Sequence, residues 1–432
     1  MEKQGPRFDE LGAAFVKNRE IAVIGSDFDQ GFSWYKAHLR EHFAFLGTPV
    51  SFYEYKPYGD APPPRNLWDK VLRRPDTSAL RKLIAEHGLD KPGKTVLVHY
   101  PDRSLMRRIT RLAKSLGKGF TRDVNLFASQ DFLEKWLSVF AAYVADKVYF
   151  WHGNLILTTV CNLNCKFCLN FTPFIKHPQH RPVEELKREM DVFFGAVDKC
   201  GYFQISGGEP MLYKPAGELI QYIYDNYSGK LGQLLFATNG TLMASDELCE
   251  ILHRTDTFVI CDNYTRAAPK TAATRALMIE KFQKMGVRYA DIDAEQEFFK
   301  LFPPAAKLTL SDDEMAKRVS ACHDGLIMYK ELKNGRLYFC NYSSFAATAG
   351  LTAEAPDDYY DLHGFDRAKA KELVEFRLGY SNTGYDSFCR YCNGHKGINK
   401  LGRRPAGEQA SGRFDWNVEN PMLLAEFERR TK

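Results

Sequence analysis

LILTTVCNLNCKFCLN, residues 155–170, joins a short apolar run to three cysteines spaced C-x3-C-x2-C. The run LILTT (155–159) predicts a strand, and the loop after it carries Cys161, Cys165 and Cys168. Three thiols packed into so short a loop cannot reach three distant partners, but they can wrap one centre. Cysteine thiolates are the usual ligands of iron–sulfur clusters, which normally take four. Three of them leave one iron open to a ligand that is not protein. A structural zinc site or chance clustering is the alternative. Such zinc sites close with four ligands, and the next candidate, His177, lies nine residues beyond Cys168.

The pattern continues downstream. YFQIS (202–206), QLLFAT (233–238), TFVIC (257–261), VRYADI (287–292) and KLTL (307–310) predict further strands. Helical patterns such as 183–201 separate them. Six β/α units predict a partial or full (β/α) barrel, whose chemistry sits at the C-terminal strand ends. Gly207-Gly208-Glu209-Pro210 follows the second strand, Thr238-Asn239-Gly240 ends the third, and Asp262 follows the fourth. Glycines there let a backbone approach a ligand closely, and Glu209 offers an acceptor for an ammonium.

Upstream, EIAVIG (20–25), PVSFYEY (49–55) and KTVLVHY (94–100) alternate with helical patterns over 34–47, 77–88 and 104–117. This alternation predicts a parallel sheet in a doubly wound, Rossmann-like α/β domain over 1–150. DAPPP (60–64) reads as a loop, and Phe132 to Ala145 as a helix leading into the second series. The loop Gly25–Gly31 has two glycines six apart, with Glu54 ending the next strand. It departs from the G-x-G-x-x-G of dinucleotide sites, which leaves a sugar nucleotide, a carrier or no ligand. Helix 104–116 sets Arg107, Arg108, Arg111 and Lys114 opposite its apolar side, suited to a diphosphate, an anionic lipid or plain solvent.

The composition is that of a folded globular protein, with 44% hydrophobic and 26% charged residues in 432. A net charge of +5 gives no reason to expect nucleic acid as a partner. The start, MEKQGPRFDE, lacks the regions of a secretory signal. The longest apolar stretch, Trp136 to Ala145, is far shorter than the ~20 residues of a membrane span. A cytoplasmic protein without an integral membrane segment is expected, its ten cysteines being thiols or ligands rather than disulfides.

The cysteine spacing, GGEP and the Asn239 strand end together resemble the radical S-adenosylmethionine (SAM) superfamily over roughly 151–310. The resemblance implies that Cys161, Cys165 and Cys168 hold a [4Fe–4S] cluster whose open iron is chelated by SAM. It implies Phe167 beside the adenine and Gly207, Gly208 and Glu209 at the methionine ammonium. Asn239 and Asp262 would touch the ribose or carboxylate. A 5'-deoxyadenosyl radical would then take hydrogen from a small-molecule substrate, with a flavodoxin- or ferredoxin-type electron donor.

Cys322, Cys340, Cys389 and Cys392 form a second set, C-x17-C across a hairpin expected at Asn334-Gly335, then C-x2-C. Four thiolates saturate a site. A zinc ribbon, unrelated buried cysteines and an auxiliary [4Fe–4S] cluster all fit. The arrangement resembles the twitch domain, the shortened SPASM extension of radical SAM enzymes. The expected domains are therefore 1–150, a core at 151–312, a twitch-like extension at 313–400 and a tail with a short helix at 401–432. Radical SAM dehydrogenases such as 2-deoxy-scyllo-inosamine dehydrogenase also join a barrel to a twitch cluster, without this N-terminal domain. The combination here is similar to radical SAM proteins of surface-glycan gene clusters. The expected reaction is dehydrogenation of a sugar-like or cyclitol-like alcohol. Epimerisation with Cys261 as hydrogen donor, peptide modification, and a non-catalytic iron–sulfur or zinc scaffold are the alternatives. Cys200 and Cys249, in helical patterns, are expected to be small buried hydrophobes.

Overall fold

The computed structural model describes residues 8–26, 32–61, 74–100, 102–121, 125–291, 297–322, 330–380 and 383–431. Most of the Gly25–Gly31 loop and Pro62–Pro64 lie outside them. The chain divides into two compact units, Met1–Tyr149 and Phe150–Lys432.

In the first unit, β1 (Glu20–Gly25), β2 (Val50–Glu54), β4 (Lys94–His99) and β5 (Leu126–Ala128) form a sheet in the order β2-β1-β4-β5. All its pairings are parallel; a short strand, β3 (Pro57–Asp60), follows β2. Ile21 to Ile24 are completely buried, the continuous apolar run expected of a strand covered on both faces. Asp76 caps helix Thr77–Glu86 by accepting from the Ser78 and Ala79 N–H groups at 3.0 Å. Asp102 caps helix Arg103–Leu116, which buries Leu105, Met106, Ile109, Thr110 and Ala113 on one side. The expected helix from Phe132 begins as a π-helical turn, Phe132–Trp136, and becomes α-helical over Leu137–Val144.

The second unit is built on one eight-stranded sheet. Its strands are β6 (Tyr149–Ile156), β7 (Lys199–Ser206), β8 (Leu231–Thr238), β9 (Phe258–Cys261), β10 (Tyr289–Asp291), β12 (Glu331–Lys333), β13 (Arg336–Tyr338) and β14 (Tyr359–Asp361). The order is β10-β9-β8-β7-β6-β12-β13-β14, and β7 to β10 run parallel. A separate antiparallel pair joins β11 (Glu297–Phe299) to β15 (Arg403–Pro405).

Three expectations are corrected here. The first strand is YFWHGNLI rather than LILTT. Its end is set by Thr158, whose hydroxyl accepts from the Val160 N–H at 2.9 Å and turns the chain into the cysteine loop. KLTL forms no strand: β12 takes the place beside β6, pairing Glu331 with Asn154 and Leu332 with Leu155. The sheet therefore shows five β/α strands, not six, extended by the β12–β13 hairpin and β14. Cys200 lies on β7, not on a helix, and is fully buried; Cys249 is buried on helix Asp246–Arg254. The hairpin turns at Asn334 (φ 54°) and Gly335 (φ 66°), the two left-handed positions that a type I′ turn demands.

An aromatic core underlies the cysteine-bearing loops. Phe171 meets Phe388 with ring centroids 5.3 Å apart, and Phe302 reaches both Phe388 and Trp416. Phe174 stacks on Phe427 from the C-terminal helix Leu424–Arg430 at 5.5 Å. Residues on either side of the expected 312/313 and 400/401 boundaries thus share one core. Among the described residues no helix is long and apolar enough to cross a membrane.

Candidate functional site

The ends of β6 and β7 are laced together by backbone. The Thr158 carbonyl accepts from the Gly208 N–H at 2.7 Å and the Val160 carbonyl from the Glu209 N–H at 2.9 Å. A Cβ on Gly207 would stand 2.5 Å from the Thr158 oxygen, and one on Gly208 would stand 2.2 Å from the Val160 oxygen. Only glycine permits this approach. Glu209, completely buried, ties the same corner to β8: its carboxylate accepts from Thr238 Oγ1 and the Asn239 N–H at 2.8 Å, and from the Met211 N–H at 2.9 Å. Burial raises its pKa against those donors.

Cys161, Cys165 and Cys168 line one cavity of about 250 Å³ with Gly207, Gly208, Glu209, Asn239 and Asp262. Burial pushes the Cys161 thiol up to about 12 and raises that of Cys165 further, with the neighbouring thiols adding to it. A bound cation reverses that logic by holding thiolates. Asn239 Nδ2 donates to Asn162 Oδ1 at 3.0 Å and lies 3.9 Å from Cys161 Sγ. Asp262 is pushed up to about 7 by burial and by Glu209; Tyr264 Oη donates to it at 3.5 Å. Phe167 is not among the lining residues: its ring is buried, edge-on to Phe427 at 5.6 Å.

Sequence reasoning missed how the tail closes over this loop. Gln409 Oε1 accepts from the Asn164 N–H at 2.7 Å, and its Nε2 points at Cys165 Sγ at 3.6 Å. The Lys166 N–H donates to the Glu408 carbonyl and the Ala410 N–H to that of Asn164. A Lys166–Glu408 ion pair at 2.8 Å completes the strap. No local signal pairs residues so far apart in the chain.

The same cavity has a polar wall from alternate positions of β6 and β7. Asn154 Oδ1 accepts from Ser206 Oγ at 2.8 Å and Gln204 Nε2 at 3.3 Å. Asn154 Nδ2 donates to Glu331, which also accepts from the Ile156 N–H at 3.1 Å. Glu331 is 1% exposed and burial pushes its pKa up to about 8. Strand alternation was the signal that could have found these residues.

Cys322, Cys340, Cys389 and Cys392 line a second, small cavity of about 30 Å³. Helix Asp312–Ser320 ends just before Cys322, Cys340 is the N-cap of helix Asn341–Thr348, and Cys389 sits in the short turn Ser387–Arg390. Asp386 caps that turn, accepting from the Cys389 N–H at 2.9 Å. Its other oxygen is buried without a hydrogen-bond partner, and burial with Asp358 nearby pushes its pKa up to about 7. Cys392 is pushed up to about 12 by burial and Cys322. Tyr342 lines both cavities. Cys261 lines neither; it is completely buried, with its sulfur against Gly240. Among the described residues no three His, Cys, Asp or Glu side chains converge as a single metal ion needs.

Residues 155–264 match the sequence profile of the Radical SAM superfamily. No curated protein matches the chain. Among solved structures, BtrN in complex with AdoMet and 2-DOIA is similar at 13% identity and a TM-score of 0.34, over 60% of this chain and 98% of that one. Native anSMEcpe with bound AdoMet is similar at 14% and 0.36, over 60% and 94%. Streptococcus suis SuiB bound to S-adenosylmethionine is similar at 14% and 0.28, over 43% and 44%.

Proposed function

We propose that the chain, whose residues 155–264 match the Radical SAM profile, is an oxidoreductase that dehydrogenates an alcohol of a small, sugar-like or cyclitol-like substrate. One observation carries this reading: Tyr342 lines both the cavity of Cys161, Cys165 and Cys168 and that of Cys322, Cys340, Cys389 and Cys392. Oxidation of an alcohol to a ketone removes a hydrogen atom, a proton and an electron. A second redox centre one side chain away from the first cavity gives the electron somewhere to go.

The donor sets suit the groups. Cys161, Cys165 and Cys168 would hold a [4Fe–4S] cluster with SAM, which together supply a 5'-deoxyadenosyl radical when reduced by a flavodoxin- or ferredoxin-type donor. The later four cysteines would saturate an auxiliary, twitch-type cluster, a one-electron acceptor. The protein's share is positioning. Asn154, Gln204 and Ser206 present uncharged donors and acceptors on one wall, the complement of ring hydroxyls. Gly207 and Gly208 keep backbone atoms within reach of the cofactor, and Glu209 braces the end of β7 against that of β8, which carries Asn239.

Epimerisation needs a hydrogen-atom donor, and Cys261, the thiol considered for that role, is buried against Gly240 and absent from the cavity wall, which favours the dehydrogenase reading.

The test is anaerobic reconstitution with SAM, a strong reductant and a panel of carbon-deuterated polyols and sugars. Deuterium in 5'-deoxyadenosine together with a ketone product supports the reading. Deuterium transfer with a stereoisomer and no ketone would replace it by epimerisation, and SAM binding without cleavage by a scaffold role.

A further inference from the structure

In the first unit a groove of about 750 Å³ runs between helix Arg103–Leu116 and the π-helical turn Phe132–Trp136. One wall is cationic: Arg107, Arg111 and Lys114 line it. Their i, i+4, i+7 spacing puts them on one helix face over about 10 Å, at ~1.5 Å rise per residue. The opposite face of that helix is fixed inward by Leu105, Ile109 and Ala113. The other wall is aromatic: half-buried Trp136 has its ring centroid 6.2 Å from that of Phe127, and Lys135 Nζ sits 4.5 Å over the indole, a further cation that must turn aside, toward phosphate, for a base to stack there.

The π-helical turn matters to this arrangement. Such turns are rare and recur at functional sites, because the extra residue re-aims side chains at some expense of stability. Here the turn ends on Trp136, the residue facing the basic stripe. Asp131, just before the turn, lies 3.9 Å from Arg107 in an exposed pair, which holds neither side chain strongly.

A ligand matching both walls is anionic along its length and flat at one end. We propose that this groove binds a nucleoside 5'-diphosphate, with the diphosphate along Arg107, Arg111 and Lys114 and the base against Trp136. Guanidinium forks favour phosphate oxygens, and an indole face stacks any base. Asp131 is placed to accept from ribose hydroxyls once Arg107 turns to phosphate. A free nucleotide and a nucleotide-activated sugar share this chemistry. The inference is independent of the reaction in the second unit.

Calorimetry on the full chain tests it with UDP, ADP, UDP-glucose, inorganic pyrophosphate and uridine. The expected result is that the nucleoside diphosphates bind about tenfold or more tighter than pyrophosphate or uridine. Added salt weakens them, and both Arg111→Ala/Lys114→Ala and Trp136→Leu reduce affinity about tenfold. UDP-glucose binding as well as UDP identifies an activated sugar; its much weaker binding identifies the free nucleotide. Arg111 and Lys114 are exposed, so their variant is informative even where Trp136→Leu does not fold. Pyrophosphate binding as tightly as UDP would make the groove a plain anion patch. Absence of binding at millimolar concentration, or binding that survives Arg111→Glu/Lys114→Glu, would equally overturn the proposal.

Discussion

Gln409 divides one amide between two jobs, its oxygen on the Asn164 N–H and its nitrogen toward the Cys165 sulfur. An N–H aimed at a ligating sulfur stabilises the more negative, reduced state of an iron–sulfur cluster. Gln409→Leu is therefore expected to lower the midpoint potential of the SAM-binding cluster. Redox titration followed by electron paramagnetic resonance, without substrate, reads it directly. An unchanged potential would leave Gln409 a packing residue only. At this scale the sequence was most legible where the residues that share a cavity are adjacent in the chain. Cys161, Cys165 and Cys168 announce themselves by spacing, whereas Gln409 depends on a contact 244 residues away. Phe167 shows the converse: the grouping of its neighbouring cysteines is readable, but the side chain's direction is decided by Phe427 and the rest of the core.

Strands and turns were legible where their own residues dictate them. Asn334-Gly335 demanded a type I′ turn, and the apolar runs of β1 and β4 demanded a covered sheet. KLTL failed because a short apolar segment becomes a strand only with a free edge to pair with, and β12 occupies the edge of β6. Two predictions belong to elements. Gly208→Ala would drive a methyl into the Val160 carbonyl at 2.2 Å, so the β6–β7 lacing must open. A loss of about 2 kcal/mol or more is expected from chemical denaturation, with weakened SAM binding, while Gly229→Ala, with nothing near its Cβ, serves as the control. On β12, Glu331 holds its proton up to about pH 8 in the folded chain and releases it near 4.3 when unfolded. The folded state thus binds more protons between those values, so this group's stabilisation is present below the unfolded pKa and lost as pH rises towards 8. Its contribution falls by up to about 1.4 kcal/mol per pH unit in that window. Urea midpoints of the wild type should decline from pH 6 to 8 more steeply than those of Glu331→Gln; parallel slopes would show that Glu331 does not titrate in that window.

For the whole molecule the decisive quantity is metal content. Two four-iron clusters give about eight irons per chain. Cys389→Ala/Cys392→Ala should fall to about four and keep SAM cleavage, since the two ligand sets are disjoint. 5'-deoxyadenosine would still form, with little ketone. Four irons and one zinc in the wild type would instead fill the small second cavity with a single ion and remove the electron acceptor. The strap over the first cysteine loop has a further consequence, one of timing. Synthesis runs at about 5–20 residues per second, and Gln409 follows Cys165 by 244 residues. The loop is thus translated roughly 10–50 s before the segment that closes it. Iron incorporation into ribosome-arrested chains ending near Lys400 would read that interval. The segment that covers the loop is thus made after the loop itself, a latch fitted to a doorway that stands open while the intervening chain is still being synthesised.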